Sequence, residues 1–430
     1  MFSRRLKTGY LALEGLNSFA TVYYFYYLYF FMQKGFGFSN KANLALAALN
    51  GGTYAAFAWW GGRFAQRFGY FTALKVGYLV MMSALAVGGL LHTATGQVLV
   101  MVVTVLGMCF TWPTLEALVS EGESRAGLQH MVGIYNVVWA GTAAVANFFG
   151  GAMLEKLGRQ SLFYVPAALH AAQLGLTFWL ARQARVRMRL RIEQGSSGAA
   201  HVRDFGGPEN PKPEEEPTMA EERHPRARGF VRMAWLANPF AYVALNTLIA
   251  GMPGVAARLE LSTMLAGFCG SVWCFARVAA FFGLWKWNGW HYRFRWLLLA
   301  YLGLVGSFSA ILLAANVVVL VAAEIIFGSA LGLIYYSSLF YSMDASETKG
   351  EHGGIHEAAI GLGNCAGPAV GAATLQFIPG YSGSDALAVS ILLLCGLAGL
   401  LGIWKRAENG NSKEVPDQLP KAQQAAKESG

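Results

Sequence analysis

The sequence predicts an all-α integral membrane protein with twelve transmembrane helices, and three observations carry that reading. The 430-residue chain is 55% hydrophobic and only 13% charged, with a mean hydropathy of +0.39, far more apolar than a soluble domain of that length. Its apolar residues collect into twelve runs of about twenty residues, the length a helix needs to cross a bilayer. Most of its 33 Lys and Arg lie in the segments that join those runs on one side, the bias that sets the orientation of a membrane protein.

The first six spans lie near Tyr10 to Phe31, Ala42 to Gly61, Leu74 to Leu91, Val98 to Val119, Val132 to Met153 and Leu162 to Ala181. The second six lie near Phe230 to Gly251, Ser262 to Trp285, Trp296 to Ala315, Val317 to Ser342, Gly354 to Phe377 and Ala386 to Trp404. Only Asn316 separates the ninth from the tenth. A single helix over both would be roughly 70 Å long at about 1.5 Å per residue, which no bilayer accommodates as one crossing. The basic start Met1 to Lys7 precedes an apolar run longer than a signal-peptide core, so that run is expected to stay as the first span.

The charge bias places both termini on the cytoplasmic side of the cell membrane, the inner membrane in a bacterium. The net charge of +9 does not indicate nucleic acid, because the basic residues punctuate apolar runs rather than share one solvated face. Four segments follow: a six-helix bundle over 1–184, a flexible linker over 185–229, a second bundle over 230–405 and a disordered tail over 406–430. The linker opens on alternating arginines and continues as GGPENPKPEEEP, too polar and breaker-rich to bury a core. Cys109, Cys269, Cys274, Cys365 and Cys395 all fall in apolar runs, as small hydrophobes rather than disulfide partners or metal ligands.

The two halves repeat one another weakly at an offset near 221. Gly133-Ile134-Tyr135-Asn136 aligns with Gly354-Ile355-His356-Glu357, and Gly62 with Gly283. After the second span stand Gly62, Arg67 and Gly69, with Gln66 between them. The eleventh span carries Gly354, Gly363, Gly367, Pro368 and Gly371 at regular spacing.

In these features, over nearly its whole length, the chain resembles the major facilitator superfamily. That family carries Gly-x-Leu-x-Asp-Arg-x-Gly-Arg-Arg after the second span, and two parallel six-helix repeats are its design. Gln66 replaces the signature's acidic residue, and Tyr70-Phe71 its closing basic pair. The charged latch is therefore lost, although Gln66 keeps the capacity to hydrogen-bond a neighbouring helix end. The glycine–proline pattern resembles one that the family's antiporters carry in the fifth span. Its physics is either close helix approach with a bend at Pro368, or ordinary packing.

The resemblance implies secondary active transport of a small solute by alternating access, working as a monomer and driven by protons, with the glycine–proline helix pointing to export or exchange. Proton-coupled uptake of a sugar or organic anion is the alternative. A membrane-embedded sensor that binds without transporting is the alternative of another class. No enzyme chemistry is expected, since the chain shows no Ser-His-Asp set, phosphate loop or two-metal carboxylate cluster, and no cofactor or metal is expected.

An ionisable side chain inside a span is a functional hypothesis by default. Arg277 lies too deep in the eighth span to snorkel. It needs a carboxylate from Glu14, Glu116 or Glu357, or an anionic or polar substrate. Glu14, Glu116 and Glu324 are candidates for a coupling proton, the first two alternatively as members of a structural network near the cytoplasmic surface. His356 and Glu357 are expected at the start of the eleventh helix. Glu357 is favoured there by the helix dipole, and His356 is expected either to belong to the same helix-start chemistry or to act as a gate-side proton sensor. Asn17, Asn136, Trp139, Asn246, Tyr335 and Tyr336 offer hydrogen bonds to a solute or between helices. The aromatic run Tyr23 to Phe31 encircles the first helix, and its outer members are expected in the interfacial belt.

Overall fold

A computed structural model describes residues 4–121, 125–193, 227–345, 349–378, 381 and 383–413. The helices are α1 (Arg4–Phe36), α2 (Asn40–Phe68), α3 (Tyr70–Gly88), α4 (Ala94–Ser120), α5 (Arg125–Lys156), α6 (Ser161–Glu193) and α7 (Ala227–Arg258). They continue as α8 (Thr263–Cys269), α9 (Val272–Lys286), α10 (Phe294–Leu312), α11 (Val317–Ala345), α12 (Lys349–Phe377) and α13 (Ser384–Lys413). Short α8 and α9 together form the eighth span, so thirteen helices make twelve crossings in two six-span halves. A helix satisfies its own backbone polar groups, which is why apolar runs of this length take no other form in a bilayer.

Among the described residues, nine spans are long and apolar enough to cross a membrane by length and composition. α1, α2 and α6 are as long but more polar. α1 spends six of its positions on tyrosine, which a hydropathy index scores as polar although the ring packs well.

The ends of the helices follow local chemistry. Ser39, Thr93 and Ser262 cap α2, α4 and α8 by accepting from the backbone N–H three residues on. Asn316 caps α11 in the same way, accepting from Val319 N at 3.0 Å, so the residue that divides the ninth span from the tenth does so as an N-cap. Gly69, with φ of +90°, links α2 to α3 in one residue, a conformation that a Cβ would oppose. Lys7 is buried and donates to the carbonyls of Val119 and Glu121, each at 2.7 Å. It completes the end of α4, where a cation meets the helix's negative pole.

Two boundaries differ from expectation. α6 runs on through Glu193 and α13 through Lys413, so the alternating arginines of 185–193 and the residues 406–413 are helical rather than linker or tail. Arg, Met, Leu, Lys and Glu are good helix formers and continue the preceding helix. Residues 194–226 and 414–430, the rest of the expected linker and tail, lie outside the described residues.

The aromatic run on α1 also differs. Tyr23, Tyr24, Tyr26, Tyr27, Tyr29, Phe30 and Phe31 are all buried, so they form core rather than an interfacial belt. α1 packs against α5, α6, α4 and α7, and its tyrosine hydroxyls reach partners on other helices: Tyr23 meets Ser161 at 2.7 Å and Tyr26 donates to the Gly270 carbonyl at 3.0 Å. A buried tyrosine hydroxyl needs such a partner, which is what lets this run occupy the middle of the molecule.

The halves meet mainly through α2 with α12 and α5 with α8 and α9. α2 achieves its close contacts at two glycines. Proline lacks the N–H that would bond the carbonyl four residues back, so Pro113 frees the carbonyl of Cys109 and Pro368 that of Asn364. A Cβ on Gly61 would collide with the Cys109 carbonyl, and one on Gly51 with the Asn364 peptide. Gly51→Val therefore wedges the two halves apart, and we expect a loss of about 1–3 kcal/mol from overpacking, measured as a lower melting temperature in detergent.

At the end of the bundle away from the chain termini, bonds cross between the halves. Lys34 donates to the Thr263 hydroxyl, Glu155 accepts from Met264 N at 3.0 Å, and Lys41 donates to Gln376 at 2.9 Å.

Candidate functional site

Three carboxylates converge between the halves. Glu14, on the third turn of α1, is fully buried and accepts from the Ser18 hydroxyl at 2.8 Å; Tyr135 of α5 also hydrogen-bonds it. Among the described residues its second oxygen has no partner, and neither polar side-chain atom of the buried Asn17, one turn on, has one. Glu116 lies on α4 just past Pro113 and is half-buried. Glu357 of α12 is buried and accepts from the Tyr54 hydroxyl of α2 at 2.6 Å, a bond that crosses from one half to the other.

The charges of Glu14, Glu116 and Glu357 act on one another, and no cation among the described residues acts on any of them. Glu357 is nine residues into α12 rather than at its start, because that helix begins at Lys349. The expected dipole contact is replaced by the Tyr54 hydroxyl. The side chain of His356 lies outside the described residues.

Arg277 occupies the other side of the same region. The guanidinium stands 4.4 Å from the Trp139 ring of α5 and 4.8 Å from the Trp273 ring one turn back on α9. The expected carboxylate partner is absent among the described residues: two indoles cover the guanidinium instead, an arrangement that cation–π attraction favours most when the pair is desolvated. Its Nε has no hydrogen-bond partner. Trp139 is fixed in turn by donating to Asn136 at 2.9 Å.

Around Trp139 stand Trp112, Phe281 and Tyr335, at ring separations of 6.1, 5.9 and 5.5 Å. Tyr242 and Tyr335 lie within electrostatic reach of both Arg277 and the pair Glu116 and Glu357. Tyr336 packs on Phe281 at 6.0 Å.

Glu324 is not part of this cluster. Buried on α11, it accepts from the Trp273 N–H at 3.3 Å and also from that of Val272. These are the first amides of α9, left free where the eighth span breaks at Gly270 and Ser271. A carboxylate belongs at a helix N-terminus, and this is the partner that the sequence alone did not show. Its other oxygen is unpartnered, and the side chain borders a small cavity with Tyr26, Leu248, Met252 and Trp273.

The expected gating residues separate into two groups. Gly363 and Gly367 pack α12 against the carbonyls of Pro239 and Val243 on α7, within the second half, while Gly371 faces Leu44 of α2 across the interface. Pro368 is a buried part of the same helix face. Near the α2–α3 turn, Gln66 and Arg67 are exposed. Gln66 makes no hydrogen bond to a neighbouring helix among the described residues, and Arg67 lies over the Phe68 ring at 5.3 Å. Gly62 and its repeat mate Gly283 have open space around them, so the close approach falls to Gly61. Asn246 hydrogen-bonds Asn364 between α7 and α12, and so serves packing.

Sequence reasoning missed Tyr54, Tyr135, Tyr242 and Trp273. One signal was available for Tyr135: it shares one face of α5 at helical spacing with Trp139, with Asn136 close by.

A helical membrane bundle whose halves close over a buried polar site is a transporter architecture, not an enzyme's. The sequence model described as Major Facilitator Superfamily matches residues 16–368, and the chain belongs to that superfamily of secondary transporters. Among solved structures, the nucleoside transporter NupG superposes with a TM-score of 0.66 at 13% identity, covering 93% of this chain and 99% of that one. An auto-inhibited peptide transporter of the POT family superposes with a TM-score of 0.69 at 14% identity, covering 94% and 97%. Likeness at these identities concerns the fold. No curated protein matches the chain.

Proposed function

We propose that this protein is a proton-coupled transporter that moves a small solute by rocking its two halves about the site between Arg277 and the three glutamates. The observation that carries the reading is the placement of the carboxylates: Glu14 and Glu116 belong to the first half and Glu357, which meets Tyr54 of the first half at 2.6 Å, to the second, and their charges act on one another with no cation acting on them among the described residues. Separating the halves relieves that repulsion, so the number of protons the site holds depends on the conformation. Such reciprocal dependence is what coupling means thermodynamically. Protons neutralise the repulsion, so acid favours the arrangement in which the three glutamates converge and alkali favours their separation.

The remaining features fit this reading. The bonds at the end away from the termini, through Lys34, Lys41 and Glu155, act as a gate on that side, which the basic-residue bias makes the outer face of the cell membrane. Both termini and residues 194–226 are then cytoplasmic, the latter joining two bundles that function together as a monomer. Gly363, Gly367 and Gly371 make the close helix approaches that their spacing implied, and symport, in which solute and protons travel together, is the direction taken for the test.

The test is a panel of sugars, nucleosides, amino acids, peptides and organic anions applied to proteoliposomes containing a trapped pH dye. We expect at least one solute to acidify the lumen as it enters. A solute that accumulates without moving protons would overturn the coupling, and a solute that binds the purified protein without entering would overturn transport itself.

A further inference from the structure

The site contains a charge for which the described residues supply no carboxylate. Arg277 is the one buried arginine among the described residues; the buried Lys7 is committed to the end of α4, and His170 to Gln173. An uncompensated buried charge is strongly destabilising, and hydrocarbon on the outside of the bundle offers no relief. Trp139 and Trp273 supply ring faces only. They leave the nitrogen-bearing edge of the guanidinium without an acceptor among the described residues.

We propose that this edge receives the carboxylate of a small aromatic organic anion, the solute of the transport cycle described above, on which the inference rests. A guanidinium that stands over indole rings keeps its N–H donors for an acceptor in its own plane, and that is the geometry of a paired hydrogen bond to a carboxylate. Around Trp139, which stands under the guanidinium, the surroundings are aromatic: Phe281, Tyr335 and Trp112 pack on it, Tyr242 packs on Tyr335, and Tyr336 packs on Phe281. Trp112, Tyr242 and Tyr336 keep part of their surface accessible despite their depth between the helices, so ring faces remain for a planar body to stack on.

The count of charges sets the class further. One guanidinium with no second buried cation beside it among the described residues matches a monoanion rather than a phosphate dianion. The three glutamates turn away additional negative charge. A sugar would find too few hydrogen-bonding groups here in proportion to rings, and a cation would be repelled by Arg277. Anion binding also draws the guanidinium toward the ligand, and since Trp139 is in the first half and Trp273 in the second, it loosens the stack that joins them.

The experiment measures binding to the detergent-purified full-length protein by thermal shift and by tryptophan fluorescence, which Trp139 and Trp273 report directly. The probes are phenylacetate, benzoate and indole-3-acetate, each beside its uncharged amide, with acetate for the anion alone and 2-phenylethylamine for the opposite charge. At least one aromatic acid should bind tenfold or more tightly than its own amide, than acetate and than the amine. Arg277→Gln should remove that preference while Arg277→Lys keeps part of it.

The proposal is overturned if every acid binds no better than its amide, if acetate matches the aromatic acids, or if Arg277→Gln binds them as wild type does. The comparison of acid with amide in the wild-type protein stands even where a variant fails to fold. Should no aromatic acid bind while another solute still carries protons in the proteoliposome assay, the anion assignment falls and the transport reading survives; should neither occur, both fall.

Discussion

Glu116→Gln and Glu357→Gln should each reduce solute-driven proton movement to the level of empty liposomes while leaving solute binding within a few-fold of wild type. Glutamine keeps the shape and much of the hydrogen-bonding capacity of the carboxyl group but has no titratable proton near pH 7. In Glu357→Gln the Tyr54 hydroxyl still finds an acceptor in place of the carboxylate oxygen it now meets at 2.6 Å. The halves therefore still close, and what disappears is the dependence of that closure on pH. A distance measurement between spin labels at Leu157 and Phe377, exposed residues near the far end of either half, reads this directly. The distance should change between acid and alkali in wild type and stay constant in the double variant. A pH response that survives in the double variant would remove these two residues from the coupling.

The second large effect concerns stability. Glu324→Ala should lower stability by about 2–4 kcal/mol, since an unsatisfied buried polar group costs about 1–3 kcal/mol and the change orphans the amides of Val272 and Trp273 together. It also enlarges the cavity beside Tyr26 and Met252. Glu324→Gln retains an acceptor for the Trp273 amide and should recover most of the loss. The readout is the melting temperature in detergent. Trp273 is the residue whose indole faces Arg277, so Glu324→Ala should in addition weaken binding of aromatic acids where Glu324→Gln does not. Equal stability of the Ala and Gln variants would show that the carboxylate does not hold the break in the eighth span.

Much of this architecture was legible without coordinates, because the bilayer imposes it. A run of about twenty apolar residues has one stable form there, so the twelve spans, the division at Asn316 and the two halves follow from where such runs begin and end. The depth of Arg277, Glu14, Glu116 and Glu324 is equally a property of position along a helix with a fixed rise, and the cost of burying charge marks those residues whatever surrounds them.

What the run of letters could not supply is which neighbour each of them meets. Arg277 was expected to face a carboxylate and faces two indoles; Glu324, without a basic partner in the sequence, is answered by backbone amides that exist only because the eighth span breaks at Gly270 and Ser271. The tyrosines of α1 look like a membrane belt by composition and are core because other helices surround them. A span's length and polarity are summed over its own residues, so the sequence determines them alone. A contact between α1, α4 and α12, or between α5 and α9, depends on the rotation of each helix about its axis and on where glycines such as Gly51 and Gly61 let backbones approach, and only the packed structure decides that.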